Sequence, residues 1–558
     1  MTPPPTTIYP ARRVVTMNRG FPFGEAVSVR DGRILGVGTV DELAGFGEHV
    51  VDDRFRDQVL LPGFVEAHTH VMAGGLWQFP YVGYFDRTDP DGRFWHGSTS
   101  IEAVVERLVE VEHEMTEPGE PLVAWGLDPI YMPGERLVAH HLDRVSEHRP
   151  IFVYHASGHL ATVNSAMMRV SEIDATTTTP GVMTDASGAP NGELQEPAAM
   201  GLARTGMMAL VSAIGSDASK WGYANEARNG GQTFITDLGT TRIHDEVSMA
   251  SWYAAVDDPA FPARVMLAGS PMFGGLQEPT ELAAVASAHR RENTRDKLRF
   301  GVIKLVLDGS IQGFTARVGW PHYFQLPEGH PTNGLWLMPP DAVADVVTTH
   351  HAAGLTVHCH CNGDQAAQVF IDAVETALER HPRWNHRHTV QHSQLTTPAQ
   401  YRKMAELGMC ANLFSNHLWY WGDQHRDVTV GPERAARMNG AATALRAGVP
   451  ISIHSDSPIT PMRHLHTAWC AVNRLTASGE VLGPDERIGV HDALEAITLG
   501  AAYQLKLDHE IGSIESGKLA DFAVLDDDPL AADPTELKDI GVWGTVLGGV
   551  PQPAAGRS

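Results

Sequence analysis

At 558 residues, with 43% hydrophobic and 20% charged residues, the chain reads as globular and too long for one ordinary core, so one large domain with satellites is expected. Its formal net charge of −25 argues against nucleic acid or an anionic membrane as partner. No run approaches the roughly 18 apolar residues of a membrane span, Met1-Thr-Pro-Pro-Pro-Thr-Thr7 has no apolar segment of a secretory signal, and Cys359, Cys361, Cys410 and Cys470 spell no disulfide framework, so a reducing cytoplasm is the expected location.

Residues 8 to about 60 read as short strands. Two of them, 26–30 and 33–37, flank Asp31-Gly32, a hairpin turn signal. The end of the chain looks like their other half, with strands at 521–525 and 540–547 followed by Gly548-Gly549. The economical reading is a small β-sandwich made from both chain termini, 1–60 plus 508–558, with the main domain inserted between them.

Leu61-Pro-Gly-Phe-Val-Glu-Ala-His-Thr-His70 comes next. On a strand, residues two apart share a face, so His68 and His70 leave one strand end side by side, a start for a metal site. Residues 76–228 then read as an inserted α+β subdomain. It opens with an aromatic loop (Trp77, Phe79, Tyr81, Tyr84, Phe85). A helix follows Thr99-Ser-Ile-Glu102, which has capping-box spacing. Strands at 122–125 and 150–154 come next, then a helix-rich stretch to about Arg228.

From there strands alternate with helices: 232–237, 263–267, 301–307, 355–360, 388–392, 409–413 and 450–456. With the 64–69 strand these make eight, the pattern that closes as a (β/α)8 TIM-type barrel over 61–75 plus 229–507. A doubly wound open sheet is the alternative, but no Gly-rich phosphate loop follows the first strand.

Polar residues fall at the C-terminal ends of these strands, where barrel enzymes keep their sites: His68 and His70 on strand one, His358 and His360 on strand five, His392 on strand six, Asp456 on strand eight. Strand four holds Lys304 and is followed by Asp308. A buried ammonium is expensive, so Lys304 should be paired, neutral or modified.

This pattern resembles the amidohydrolase superfamily over nearly the whole chain, and within it the amidohydrolase-3 group that includes N-substituted formamide deformylases. The stretches carrying it are Leu61 to His70, Gly158-His-Leu-Ala-Thr-Val-Asn-Ser165, Val302 to Ser310, His360-Cys-Asn-Gly-Asp364, Gln391-His-Ser393, His454-Ser-Asp-Ser-Pro458 and Ile511 to Asp521. The resemblance implies His68, His70, Lys304, His360, His392 and Asp456 as metal positions. It implies Lys304 carboxylated by CO2 and bridging two divalent ions. Imidazole and carboxylate suit zinc, with manganese or iron possible. It further implies attack by a metal-bound hydroxide on a carbonyl, with Asp456 as base and then acid toward the leaving nitrogen, and with His159 holding substrate. Two departures stand out. His358 is an extra histidine below His360, and Gln391 stands where relatives often carry an acid, which should change hydrogen bonding to the ligands more than the metal itself.

The expected substrate is a small, mostly neutral amide or formamide with an apolar or aryl group. Aromatic loops at Trp77, Trp320, Trp419 and Trp421, together with Asp308 and His358, are the candidate contacts. The rival readings are a metal-dependent deaminase on the same barrel, a carbamate or ester hydrolase, or a binding protein on an inactive barrel. A homodimer is expected by analogy alone.

Overall fold

The computed structural model describes residues 6–117, 119–132, 134, 136–272, 275–326 and 332–557. They fall into two compact units. One joins Met1–His70 to Ala224–Ser558, and the other is Val71–Tyr223, where the sequence pointed to a subdomain over 76–228.

In the first unit the chain ends share one eight-stranded sheet. The strand Val59–Pro62 pairs in parallel with Thr6–Val15 and antiparallel with Phe522–Leu525. The two chain ends, expected to build one small β-domain together, therefore share one hydrogen-bonded sheet. Its apolar side buries Tyr9, Val14, Val27, Leu60, Phe522 and Val546. Asp31 and Gly32 both have positive φ, the conformation a tight hairpin between right-twisted strands requires.

The same unit carries eight parallel strands: Phe64–Thr69, Gln232–Asp237, Arg264–Leu267, Val302–Val306, Thr356–Cys361, Thr389–His392, Cys410–Leu413 and Ile451–Ile453. They run in two ladders, the first three with the two-residue Leu298–Arg299, the last five together. The parallel bridge between Gly269 and Ile303 joins the ladders. Where the row ends, Glu66 on the first strand accepts the Ser455 hydroxyl at 2.5 Å, and His70 N–H donates to Ser457 C=O at 2.9 Å. Helices cover the row. Asp364–Arg380 buries Ala366, Ala367, Phe370, Ile371, Val374 and Ala377, an i, i+3, i+4, i+7 stripe. Burying side chains such as Phe370 stabilises by about 1.5–3 kcal/mol each. No described helix is long and apolar enough to cross a membrane.

The second unit holds a five-stranded sheet in the order Val182–Thr184, Pro190–Gln195, Leu160–Val163, Ile151–His155, Leu122–Leu127. The stretch expected to be helix-rich thus contributes three strands. Gly192 lets them pack: a Cβ there would meet Val163 O at 2.4 Å. The helix Ile101–Glu114 is capped by Ser100, whose hydroxyl accepts Ala103 N–H, one residue later than the expected Thr99 box.

Candidate metal centre

His68 and His70 share the inner face of the first parallel strand's end, His68 fully buried and His70 partly open. A chain of amides sets the His68 ring. Ser452 Oγ lies 2.9 Å from Asn412 Oδ1, and Asn412 Nδ2 donates to Gln391 Oε1 at 2.8 Å. Gln391 Nε2 faces His358 Nδ1 at 2.9 Å. Gln391 Oε1 can therefore only accept, so His68 Nδ1, 2.7 Å away, carries the proton. The lone pair of His68 Nε2 is left pointing into the site. His358 is completely buried in this support, and burial holds its pKa down at about 3.

Into the same space comes Asp456, in a left-handed backbone conformation (φ 55°). Its Oδ1 stands 3.3 Å from His68 Nε2 and 3.5 Å from His70 Nε2, with no hydrogen bond to either. Burial opposes ionisation there, but His70, His454 and Lys304 together hold the carboxyl below its usual range. Lys304 Nζ lies 3.0 Å from His68 Nε2, and burial pulls its pKa down to about 8. His70 Nδ1 is held by Thr240 Oγ1 at 3.0 Å.

A second group surrounds His392, also left-handed (φ 64°). Its Nε2 is 2.9 Å from His360 Nδ1, and its Nδ1 is 3.2 Å from His454 Nε2. Burial first, then the neighbouring imidazoles and Lys304, keeps His68 and His392 well below the usual histidine range. They are neutral near pH 7, the form of imidazole that ligates a cation. Two sets have ligand atoms mutually within 4.8 Å: His68, His70, Asp456 and His68, His392, His454. The structure thus brings His68, His70, Lys304, His392 and Asp456 together, with His360 against His392.

The donors fit a divalent ion. A buried imidazole nitrogen, which Lys304 Nζ also approaches at 3.0 Å, and a carboxylate oxygen face each other at 3.3 Å, a donor pair of the kind that ligates a divalent ion.

Three residues escaped the sequence reading. His454 lies two before Asp456, as His358 does before His360, and that spacing was the available signal. It stacks on His68 (4.6 Å, 9°). Glu66 is wholly buried and accepts from Ser455 Oγ, Ser455 N and His68 N. Burial raises its pKa to about 8. His417 is buried on Phe414 with an unpartnered Nδ1.

The substrate candidates separate. Asp308 is fully buried, accepting backbone N–H groups of Arg317, Asn362 and Gly363 at 2.8–3.0 Å, so it staples loops and its oxygens are not open to a substrate. Trp421 is buried on Phe414 and His417, and Trp419 packs on Tyr420 and His466. Both lie in the helix Asn416–Gln424, in a segment expected to be loop. Trp320 is 86% exposed. In the second unit, Trp77 packs on Trp125, Tyr81 and Trp95, and His159 Nδ1 pairs with Glu196 Oε2 at 3.1 Å.

Residues 56–552 match the model of the amidohydrolase family. The chain is 26% identical to Protein LONG AFTER FAR-RED 3 of Arabidopsis thaliana, over 92% of this chain and 85% of that protein. It is also 26% identical to the N-substituted formamide deformylase of Arthrobacter pascens, over 94% of each chain. An uncharacterized metal-dependent hydrolase from Pyrococcus horikoshii OT3 superposes with a TM-score of 0.71 at 19% identity, covering 95% of this chain and 99% of that one, a likeness of fold.

Proposed function

The chain belongs to the amidohydrolase family, and from that premise we propose that it hydrolyses the C–N bond of a small, mostly neutral amide or N-substituted formamide. The facing lone pairs of His68 Nε2 and Asp456 Oδ1 carry the reading. In it His68, His70, His360, His392 and Asp456 would be the residues that hold divalent metal, and Lys304, carboxylated by CO2, would be a further ligand. Lys304 supports this, because its low pKa makes a free amine accessible near neutral pH and only a free amine takes up CO2. The row of eight strands then closes as a TIM-type barrel around the site. Zinc suits these donors, with manganese or iron as alternatives. Such ions supply Lewis acidity that polarises a carbonyl and lowers the pKa of water.

The chain's own groups do the rest. Asp456, ionised and central, accepts the proton of the attacking water and returns it to the leaving nitrogen. Gln391 and Thr240 hold the rings of His68 and His70 in place. The formamide preference leans on the Arthrobacter pascens relative, and a cytoplasmic homodimer is the setting we propose.

One observation favours a second reading. His68, His392 and His454 alone offer a three-imidazole set, which suits a single-metal deaminase that does not use Lys304. Turnover of a panel of N-substituted formamides, aryl amides and amino-purines separates the two. The first reading predicts amine plus formate or carboxylate. Ammonia release from amino-heterocycles alone would replace it by the second.

A further inference from the structure

A cavity of about 430 Å³ lies in the first unit at the opposite ends of the parallel strands, where Gly301-Val302 and Thr356 begin theirs. Its charge is unlike that of the rest of the molecule. Arg290, Arg295, Arg299 and Lys506 line it. Its two acids are already engaged, Asp296 by Arg264 and Glu510 by Arg299 at 2.7 Å, while Arg295 pairs with Asp257 at 3.0 Å.

That leaves Arg290 and Lys506. Arg290 donates to Gly354 C=O at 3.0 Å, and neither makes an ion pair among the described residues. Arg383 repels both from behind. It donates to His351 O and Leu355 O, and its Nε is buried without a partner. The adjacent imidazoles offer no compensation. His351, His386 and His388 spend their ring nitrogens on one another, on backbone N–H groups, and on the carbonyls of His381 and Leu407.

A chain with 67 acidic and 42 basic side chains has carboxylates to spare, yet among the described residues no unengaged one lines the cavity. The C-terminus of the helix Pro279–Glu292 accounts for Arg290 in its last turn, but Lys506 and Arg383 stand on other elements. Burial and three neighbouring arginines drag the Lys506 pKa down to about 8, a cost that a bound anion would remove.

We propose that this cavity is an anion site that takes a phosphate group, free or carried on a small organic body, between Arg290 and Lys506. The volume exceeds that needed by a monatomic anion, and the two cations left without an ion pair, Arg290 and Lys506, match a dianion. The assignment goes beyond the hydrolase reading and stands independently of it.

The test is calorimetric titration and thermal unfolding of the metal-loaded protein with inorganic phosphate and with glycerol 3-phosphate, against sodium chloride of equal ionic strength. Saturable binding and a raised midpoint are expected, with glycerol 3-phosphate tighter if the ligand is a phosphate ester and inorganic phosphate at least equal if it is the free ion. Lys506→Met and Arg290→Gln should each weaken binding about tenfold or more, and Lys506→Met should unfold later than the parent when no phosphate is present. Binding should persist in His392→Ala and in metal-stripped parent protein. Loss of binding in those two places the anion on the metal centre and overturns the proposal. So does equal binding by Lys506→Met, or an equal shift with chloride.

Discussion

Gln391 Oε1 accepts the Nδ1–H of His68 at 2.7 Å, and this one contact decides which nitrogen His68 turns toward Asp456. An amide does here what a carboxylate would do by charge. It fixes the tautomer without adding negative charge beside the imidazole, so His68 would be a less basic ligand to a metal than a carboxylate-backed histidine.

Replacing Gln391 by leucine should free the His68 ring and weaken metal binding by about 10–100-fold. Competition with a chromogenic chelator measures it. Unchanged affinity would show that the ring is oriented by something else, its stack on His454 being the next candidate.

In the proposed reaction Asp456 carries two tasks, ligand and proton carrier. Asp456→Asn keeps an oxygen donor and loses the proton-accepting charge. Metal content by elemental analysis should stay close to the parent's, while turnover falls by about 10²–10⁴-fold. Full activity in this variant would remove Asp456 from the proton path.

How much of this was legible beforehand differs by residue. The strand 232–237 stands where its apolar run placed it, and His68, His70 and Asp456 converge because the i, i+2 rule and the strand-end rule are local. Glu66, Asn412 and Ser452 were not legible. Asn412 and Ser452 are each one polar residue in an apolar strand with a partner on a neighbouring strand, and Glu66 is bound by Ser455, 389 residues away, so nothing near them in sequence marks these long-range contacts. Asp308 shows the reverse failure. Its position after a strand looked functional, and only the fold reveals three backbone N–H groups on its oxygens. Leu418 and Trp421 carried the i, i+3 spacing of a helix turning inward, which the run of aromatics obscured.

His454 should matter to metal binding although the strand-end pattern passed it by. With His392 Nε2 given to the centre, His392 Nδ1 donates to His454 Nε2 at 3.2 Å. His454→Leu should reduce metal occupancy at limiting metal, and His454→Gln should restore part of it. Parent-like occupancy in the leucine variant would make His454 packing only.

Stability should fall in mild acid because of buried neutral histidines away from the centre. His350 has both ring nitrogens unpartnered, and burial lowers its pKa to about 4 from 6.5. Its folded pKa is depressed, so the unfolded chain binds the proton first. Stability is full above pH 6.5 and is lost as pH falls toward 4, by about 2 kcal/mol at pH 5 from this one group. His350→Leu should therefore gain on the parent between pH 7 and pH 5 in denaturant unfolding. A gap that does not change with pH would contradict this.

The most direct test of the central claim is turnover followed during metal reconstitution. Protein stripped with chelator and supplied with bicarbonate is titrated with zinc or manganese, while hydrolysis of an N-substituted formamide and bound metal per chain are read together. The account predicts no turnover without metal and a rise that levels off at two ions per chain. It also predicts that Lys304→Ala saturates below two ions and stays inactive. Amide or formamide hydrolysis that survives complete removal of metal would contradict it.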